Sequence, residues 1–395
     1  MTELPGLRGL SRTVILLGLV SFFTDFSSEM IYPLLPVFLA AVLGAGPAVL
    51  GLVEGVAEST AALVKLAGGV WADRVGRRKP FILAGYGLAG AVRPLIGLAA
   101  TWPLVLGLRF LDRVGKGLRT SPRDALIAEA TPPGRRGMAY GFHRAMDHAG
   151  AVVGPLVAAW LLDRAGLSLR DVFLLAAVPA AVVVLLIILG IKEHHGRTIP
   201  NPETPAGPPP ERAWGREFKL FLAALWIFTL GNSTDAFLLL RLAWAGVPAG
   251  GVALLWSAHH VVKMLAAYAG GRLADRLGAR RMVLAGWSVY ALIYLGFAGL
   301  DSPLALIVVF LAYGLYFGLA EPAEKTLVAG LAPARLRGTA FGFFHGVVGL
   351  GALPASLLFG FLWQGFGGRT AFLTGAFLAA GAGALAWFAF RKPSG

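Results

Sequence analysis

Apolar residues occupy this chain in long blocks, separated by short breakers rich in Gly, Pro, Arg and Asp. A bilayer core roughly 30 Å thick asks a helix for about 20 predominantly apolar residues. Reading from breaker to breaker gives such segments at 13–42, 48–71, 81–100, 103–128, 138–163, 171–191, 217–243, 250–272, 281–299, 303–330, 338–363 and 370–390. The pattern predicts an all-α integral membrane protein of twelve transmembrane helices. The one long polar stretch, "KEHHGRTIPNPETPAGPPPERAWG", follows the sixth segment, and its prolines prevent helix and sheet alike. It reads as a linker over 192–216, between a six-helix bundle at 1–191 and another at 217–395.

Composition agrees with a lipid solvent. Of 395 residues, 57% are hydrophobic and 14% charged, with a mean hydropathy of +0.71, whereas a soluble domain carries roughly 25% charged residues. The net charge of +14 matters through its placement. "DRVGRRKP" (73–80), "PPGRRG" (132–137), the central linker, "DRLGARR" (275–281), "PARLRG" (333–338) and the terminal "FRKPSG" fall in alternate connections, while "GAGPA" (44–48), "TWP" (101–103) and "GVPAG" (246–250) are poor in Lys and Arg. By the positive-inside rule both termini and the linker are cytoplasmic, in the plasma (inner) membrane of a prokaryote. That distribution argues against nucleic acid as a partner. The absence of cysteine removes disulfides and thiolate chemistry. The opening "MTELPGLRGLSR" lacks the features of a cleavable signal.

The two halves repeat one another. "GGVWADRVGRRKP" (68–80) matches "GGRLADRLGARRM" (270–282), and "RRGMAYGF" (135–142) matches "LRGTAFGF" (336–343), at nearly the same offset. The first pair, Gly69, Asp73, Arg74, Gly76, Arg77 and Arg78 with the echo Gly271, Asp275, Arg276, Gly278, Arg280 and Arg281, resembles the loop signature of the major facilitator superfamily of secondary transporters. "RVGKG" in the fourth segment is similar to the family's Arg-x-x-Gln-Gly, with Arg113 in place and Lys116 where Gln is usual. "YPLLPVF" (32–38) looks like the proline pair of the drug-exporting branch. Gly141, Gly150, Gly154 and Pro155 resemble the fifth-helix signature of its antiporters, although Ala158 and Ala159 stand near the usual Gly-Gly position. The resemblance implies two pseudo-symmetric six-helix bundles, alternating access, and a gating role for these residues and for Asp124. It also implies that acids at helix ends pair with Arg74 or Arg77, and that Asp73 meets the N-terminus of the eleventh helix near residue 338, where the helix dipole favours an anion.

Ionised side chains within spans cost about 2.5–3.5 kcal/mol on insertion scales, so each invites a reason. Asp25 and Glu29, Glu54 and Glu58, and Asp147 are nearest mid-span and are the candidates for proton coupling, since a desolvated carboxylate takes up and releases a proton near neutral pH. For Glu58 and Asp25 the competing reading is a salt bridge to Lys65 or a fourth-helix arginine. Tyr32, Arg113, Lys116, His143, Asp235, His259, His260, Lys263 and Glu321 are candidates to line a substrate cavity. A simple hydrogen-bonded role competes for each histidine. Asp112 is expected to pair within its own helix, with Lys116 and Arg109. Arg123–Asp124 and Glu324–Lys325, at matching positions with inverted order of sign, read as structural locks.

The function expected is a monomeric, proton-coupled antiporter that exports small organic compounds and needs no cofactor. Transport of an organic anion, or of a metal ion or chelate, is the alternative, although the sequence has no clean metal-ligand motif. A sensor or membrane enzyme on the same fold finds no support: Ser28 has no adjacent His, and no phosphate loop follows a strand.

Overall fold

A computed structural model describes residues 9–45, 47–191, 214–247 and 249–390, so all but the last three residues of the linker at 192–216 lie outside the described residues. The described chain is helical and makes the twelve-helix fold that the apolar blocks predict. The first span is α1 (Arg12–Glu29), continued by a 3-10 turn at Tyr32–Leu34 where Pro33 interrupts the helix. Then come α2 (Pro47–Val75), α3 (Lys79–Val92), α4 (Trp102–Glu129) and α5 (Arg136–Asp163). The sixth span is α6 (Leu169–Leu175) followed by α7 (Ala177–Leu185). The seventh breaks between α8 (Arg216–Gly231) and α9 (Ala236–Trp244), and α10 (Ala249–Leu277), α11 (Ala279–Gly299), α12 (Pro303–Leu331), α13 (Arg337–Phe366) and α14 (Gly368–Phe390) complete the chain.

The sequence repeat is a repeat of shape. Interior prolines fall at Pro122 of α4 and Pro322 of α12, and at Pro155 of α5 and Pro354 of α13. The glycine of each signature loop adopts positive φ, 72° at Gly76 and 91° at Gly278, a backbone state that a side chain would strain. Each loop thereby turns sharply into the next helix.

The chain divides into two compact units. Unit 1 comprises Met1–Pro132, Met146–Ile199 and Arg335–His345. Unit 2 comprises Pro133–Ala145, Pro200–Ala334 and Gly346–Gly395. The first turns of α5 thus belong with the second sequence half, and those of α13 with the first. Large side chains such as Leu189, Leu254, Leu304 and Phe377 are outermost, as expected where lipid is the solvent. Among the described residues, eight helical segments are long and apolar enough to cross a membrane by length and composition.

Candidate functional site

In unit 1, α1 presents Asp25 and Glu29 one turn apart, against the bare backbone of α5. A Cβ at Gly150 would lie 2.3 Å from the Phe22 carbonyl oxygen and 3.1 Å from Asp25 Cβ, and one at Gly154 would lie 2.8 Å from Glu29 Cβ. Any larger residue at either position would force the helices apart. Ser21 donates to the carboxylate of Asp147, one turn before Gly150. Neither Asp25 nor Glu29 has a hydrogen bond or ion pair to its carboxylate among the described residues. The side chain of Glu54 lies outside the described residues.

The other acids of this unit are engaged. Asp112 of α4 is 1% exposed and accepts from Arg93 Nε and Nη2 at 3.2 and 2.9 Å, from Tyr32 Oη at 2.5 Å and from Arg109 Nη1 at 3.4 Å. The expected pair with Arg109 is therefore present, but the shorter contacts come from other elements, and none with Lys116 is found among the described residues. Arg93, at the C-terminus of α3, carried no signal in the reading of polar spacing. The guanidinium carbons of Arg93, Arg109 and Arg113 lie 5.9, 4.3 and 5.1 Å from the Tyr32 ring centroid, so one aromatic ring serves three cations. Arg113 reaches Glu58 at 3.1 Å, and the Glu58 side chain is 62% exposed. That geometry favours the salt-bridge reading of Glu58. Lys116 is an electrostatic neighbour of Arg113, Glu58 and Asp25.

The signature loops act on helix starts. Asp73 accepts from the Gly338 amide at 3.1 Å, the Thr339 amide at 2.5 Å and the Thr339 hydroxyl at 2.6 Å, the contact that the resemblance implies. Gly69 makes room for it, since a Cβ there would lie 2.1 Å from the Gly338 oxygen. Within unit 2, Asp275 accepts from the amides of Gly137 and Met138, both at 2.7 Å, and a Cβ at Gly141 would lie 2.4 Å from the Ala267 oxygen. The loop arginine in the first clamp is Arg78, which meets Asp73 at 2.6 Å and Glu129, the acid ending α4, at 3.1 Å. Arg74, Arg77 and Arg276 are exposed. Asp124 pairs with its neighbour Arg123 at 3.0 Å and with His345 of α13 at 2.8 Å.

Unit 2 surrounds a buried cation with rings. Lys263 of α10 lies 3.7 Å from the Phe317 centroid and 5.4 Å from that of Trp256, and it reaches Asp235 at 3.5 Å, in the break between α8 and α9. Tyr313 donates to Asp235 at 3.0 Å and stacks on His259 with centroids 5.3 Å apart. His260 packs edge-on against Trp256 at 5.1 Å. On α5, His143 is fully buried and Arg144 grips Glu321 of α12 with two bonds of 2.6 and 2.5 Å. Glu324 accepts from the Trp287 indole at 2.8 Å. Among the described residues no group of three or more His, Asp or Glu is placed to hold a metal ion.

Twelve helices, duplicated loop clamps and buried charge on interrupted helices define a secondary-transporter architecture. The family model of the Major Facilitator Superfamily matches residues 17–244 and 242–395, and the chain belongs to that family. It is 34% identical over 387 residues to an uncharacterised MFS-type transporter of Methanocaldococcus jannaschii, covering 96% of each. It is 26% identical over 417 residues to the multidrug resistance protein MdtG of Dickeya zeae, covering 97% of this chain and 95% of that one. The crystal structure of the Escherichia coli fucose:proton symporter superposes with a TM-score of 0.77 at 16% identity, over 96% of this chain and 98% of that one.

Proposed function

We propose that this transporter is a proton-coupled antiporter that exports small organic compounds by alternating access of its two sequence halves. In this reading both termini are cytoplasmic and the loop clamps at Asp73 and Asp275 close the cytoplasmic side. The observation that carries it is the position of Asp25 and Glu29. Among the described residues their carboxylates have no hydrogen bond or salt bridge, and they are set on the stretch of α1 against which Gly150 and Gly154 pack. A proton arriving there changes the charge at a helix contact that has almost no slack, and so biases which packing is favoured. The name of the Dickeya zeae relative supports export of drug-like compounds.

Asp25→Asn mimics the protonated form. In liposomes it should retain substrate binding and downhill exchange, but lose accumulation against a gradient and proton release on binding. Wild-type proton release in Asp25→Asn would remove this residue, and its loss only in Glu58→Gln would move the role to α2. A second reading, an organic anion as substrate, is favoured by the three arginines at Tyr32 and by Lys263. Neutralising Arg113 and Lys263 should abolish transport of an anion and spare a lipophilic cation.

A further inference from the structure

A second cluster in unit 1 takes no part in this reading. Gly85 of α3 and Gly115 of α4 let those helices cross closely, a Cβ at Gly85 falling 2.5 Å from the Gly115 oxygen. The crossing lays the guanidinium of Arg119 over the Tyr86 ring, 4.1 Å from its centroid. Beside them is a small internal cavity bounded by Thr24, Ser27, Tyr86, Arg93, Arg119 and Ala180. Arg119 is 5% exposed, and its Nε and Nη1 meet no hydrogen-bond acceptor among the described residues.

The surrounding charges and hydroxyls do not answer it. Arg93 donates to Asp112, to the Thr24 carbonyl at 3.2 Å and to the Ser27 hydroxyl at 3.5 Å, and Arg123 is paired with Asp124. Asp112 and Asp124 are thus held by arginines other than Arg119. The Thr24 hydroxyl donates to the Val20 carbonyl at 2.6 Å and the Ser27 hydroxyl to that of Ala176 at 2.8 Å, so neither proton points into the cavity. Tyr86 accepts from Arg123 at 3.5 Å, which leaves its own proton to give. Three unanswered donors, two of them on a buried cation, therefore belong to residues that line a space of roughly one water-sized sphere. A buried guanidinium is costly unless an anion compensates it. A carboxylate-bearing organic molecule is too large for this space, whereas a halide has the size, the charge and the need for donors alone.

We infer that this cavity is a binding site for a small monovalent anion of halide size, chloride being the natural occupant, held by Arg119 and Tyr86. The site lies inside one unit and does not depend on what is transported. Its role is to neutralise Arg119 and so to stabilise the crossing of α3 and α4.

The test uses the purified full-length protein in sodium chloride or bromide against sodium gluconate at equal ionic strength. Halide should raise the thermal midpoint by roughly 2–4 °C, and the rise should vanish in Arg119→Gln and shrink in Tyr86→Phe. Crystals grown in bromide should show an anomalous peak within hydrogen-bonding distance of Arg119 Nε or Nη1, a measurement that stands even where Arg119→Gln does not fold. No peak beside Arg119 in the wild type, with density for water only, overturns the inference. So does a halide-dependent rise of equal size in a folded Arg119→Gln.

Discussion

The Asp73 clamp gives a prediction whose size follows from its geometry. Gly338 and Thr339 are the second and third residues of α13, and the first amides of a helix have no partner within it. Asp73 supplies those partners, together with a bond from the Thr339 hydroxyl and one from Arg78. Asparagine keeps one acceptor oxygen and presents an NH2 group where the other stood. Either the two Thr339 donors or the Gly338 amide and Arg78 then face another donor. A hydrogen bond to a charged group nets about 1.5–3 kcal/mol, so loss of one or two such bonds weakens the clamp by roughly 2–5 kcal/mol. The Asp73 side chain is 5% exposed, so solvent screening does not erase this. At about 1.4 kcal/mol per tenfold, the open population should rise at least about 30-fold.

Hydrogen exchange over residues 335–345 reads that opening directly, since protection of the Gly338 and Thr339 amides rests on Asp73. Asp73→Asn should accelerate exchange there by at least that factor, leave the thermal midpoint of the rest of the chain nearly unchanged, and impair transport in liposomes. Unchanged exchange at residues 335–345 with normal transport would show that the loop neither holds the helix start nor gates.

Asp275→Asn should expose the first amides of α5 in the same assay, but by a smaller factor, because Asp275 accepts two amide bonds and no hydroxyl; an effect larger than that of Asp73→Asn would contradict the comparison. Gly150→Leu should abolish exchange transport, since even a Cβ falls 2.3 Å from the Phe22 oxygen; full activity in liposomes would make the close approach dispensable. Trp287→Phe keeps the stack on Phe228, now at 4.6 Å, while removing the donor to buried Glu324. It should destabilise by about 1–3 kcal/mol, read as a lower thermal midpoint, and Trp287→Phe/Glu324→Gln should recover part of the loss.

Elements were legible because lipid leaves the backbone little choice. Every amide must be satisfied within its own segment, so a block of apolar residues between two breakers is a helix. The duplicated loops were legible for a similar reason: Gly76 and Gly278 need positive φ, and Asp73 and Asp275 need a fixed place behind them, so the motif survives as a local spacing. Partners across helices were not. Arg93 meets Asp112 because α3 and α4 cross at Gly85 and Gly115, and nothing in the period of either helix states that crossing. Spacing alone therefore pairs Asp112 within its own helix, and it does not single out Arg78 as the loop arginine that meets Asp73 and Glu129. His345 and Asp124, and Trp287 and Glu324, are likewise joined only by packing.

The way hydropathy fails is itself informative. Among the described residues, the elements that do not qualify as spans through their charge or their length, α4 and α8 with α9, are those that hold Asp112, Arg113 and Arg119 and that flank Asp235. A charge on a lipid-facing surface would gain nothing to offset its insertion cost. A helix that departs from the apolar rule can do so only by turning its polar stripe toward other protein. Arg109, Asp112, Arg113, Arg119, Arg123 and Asp124 are accordingly all buried on α4, while Phe110 and Leu111 of the same helix are exposed. The departure from hydropathy thus marks where charge must be answered from within the protein. Among these buried ions, Arg119 has two guanidinium nitrogens, Nε and Nη1, that meet no acceptor among the described residues.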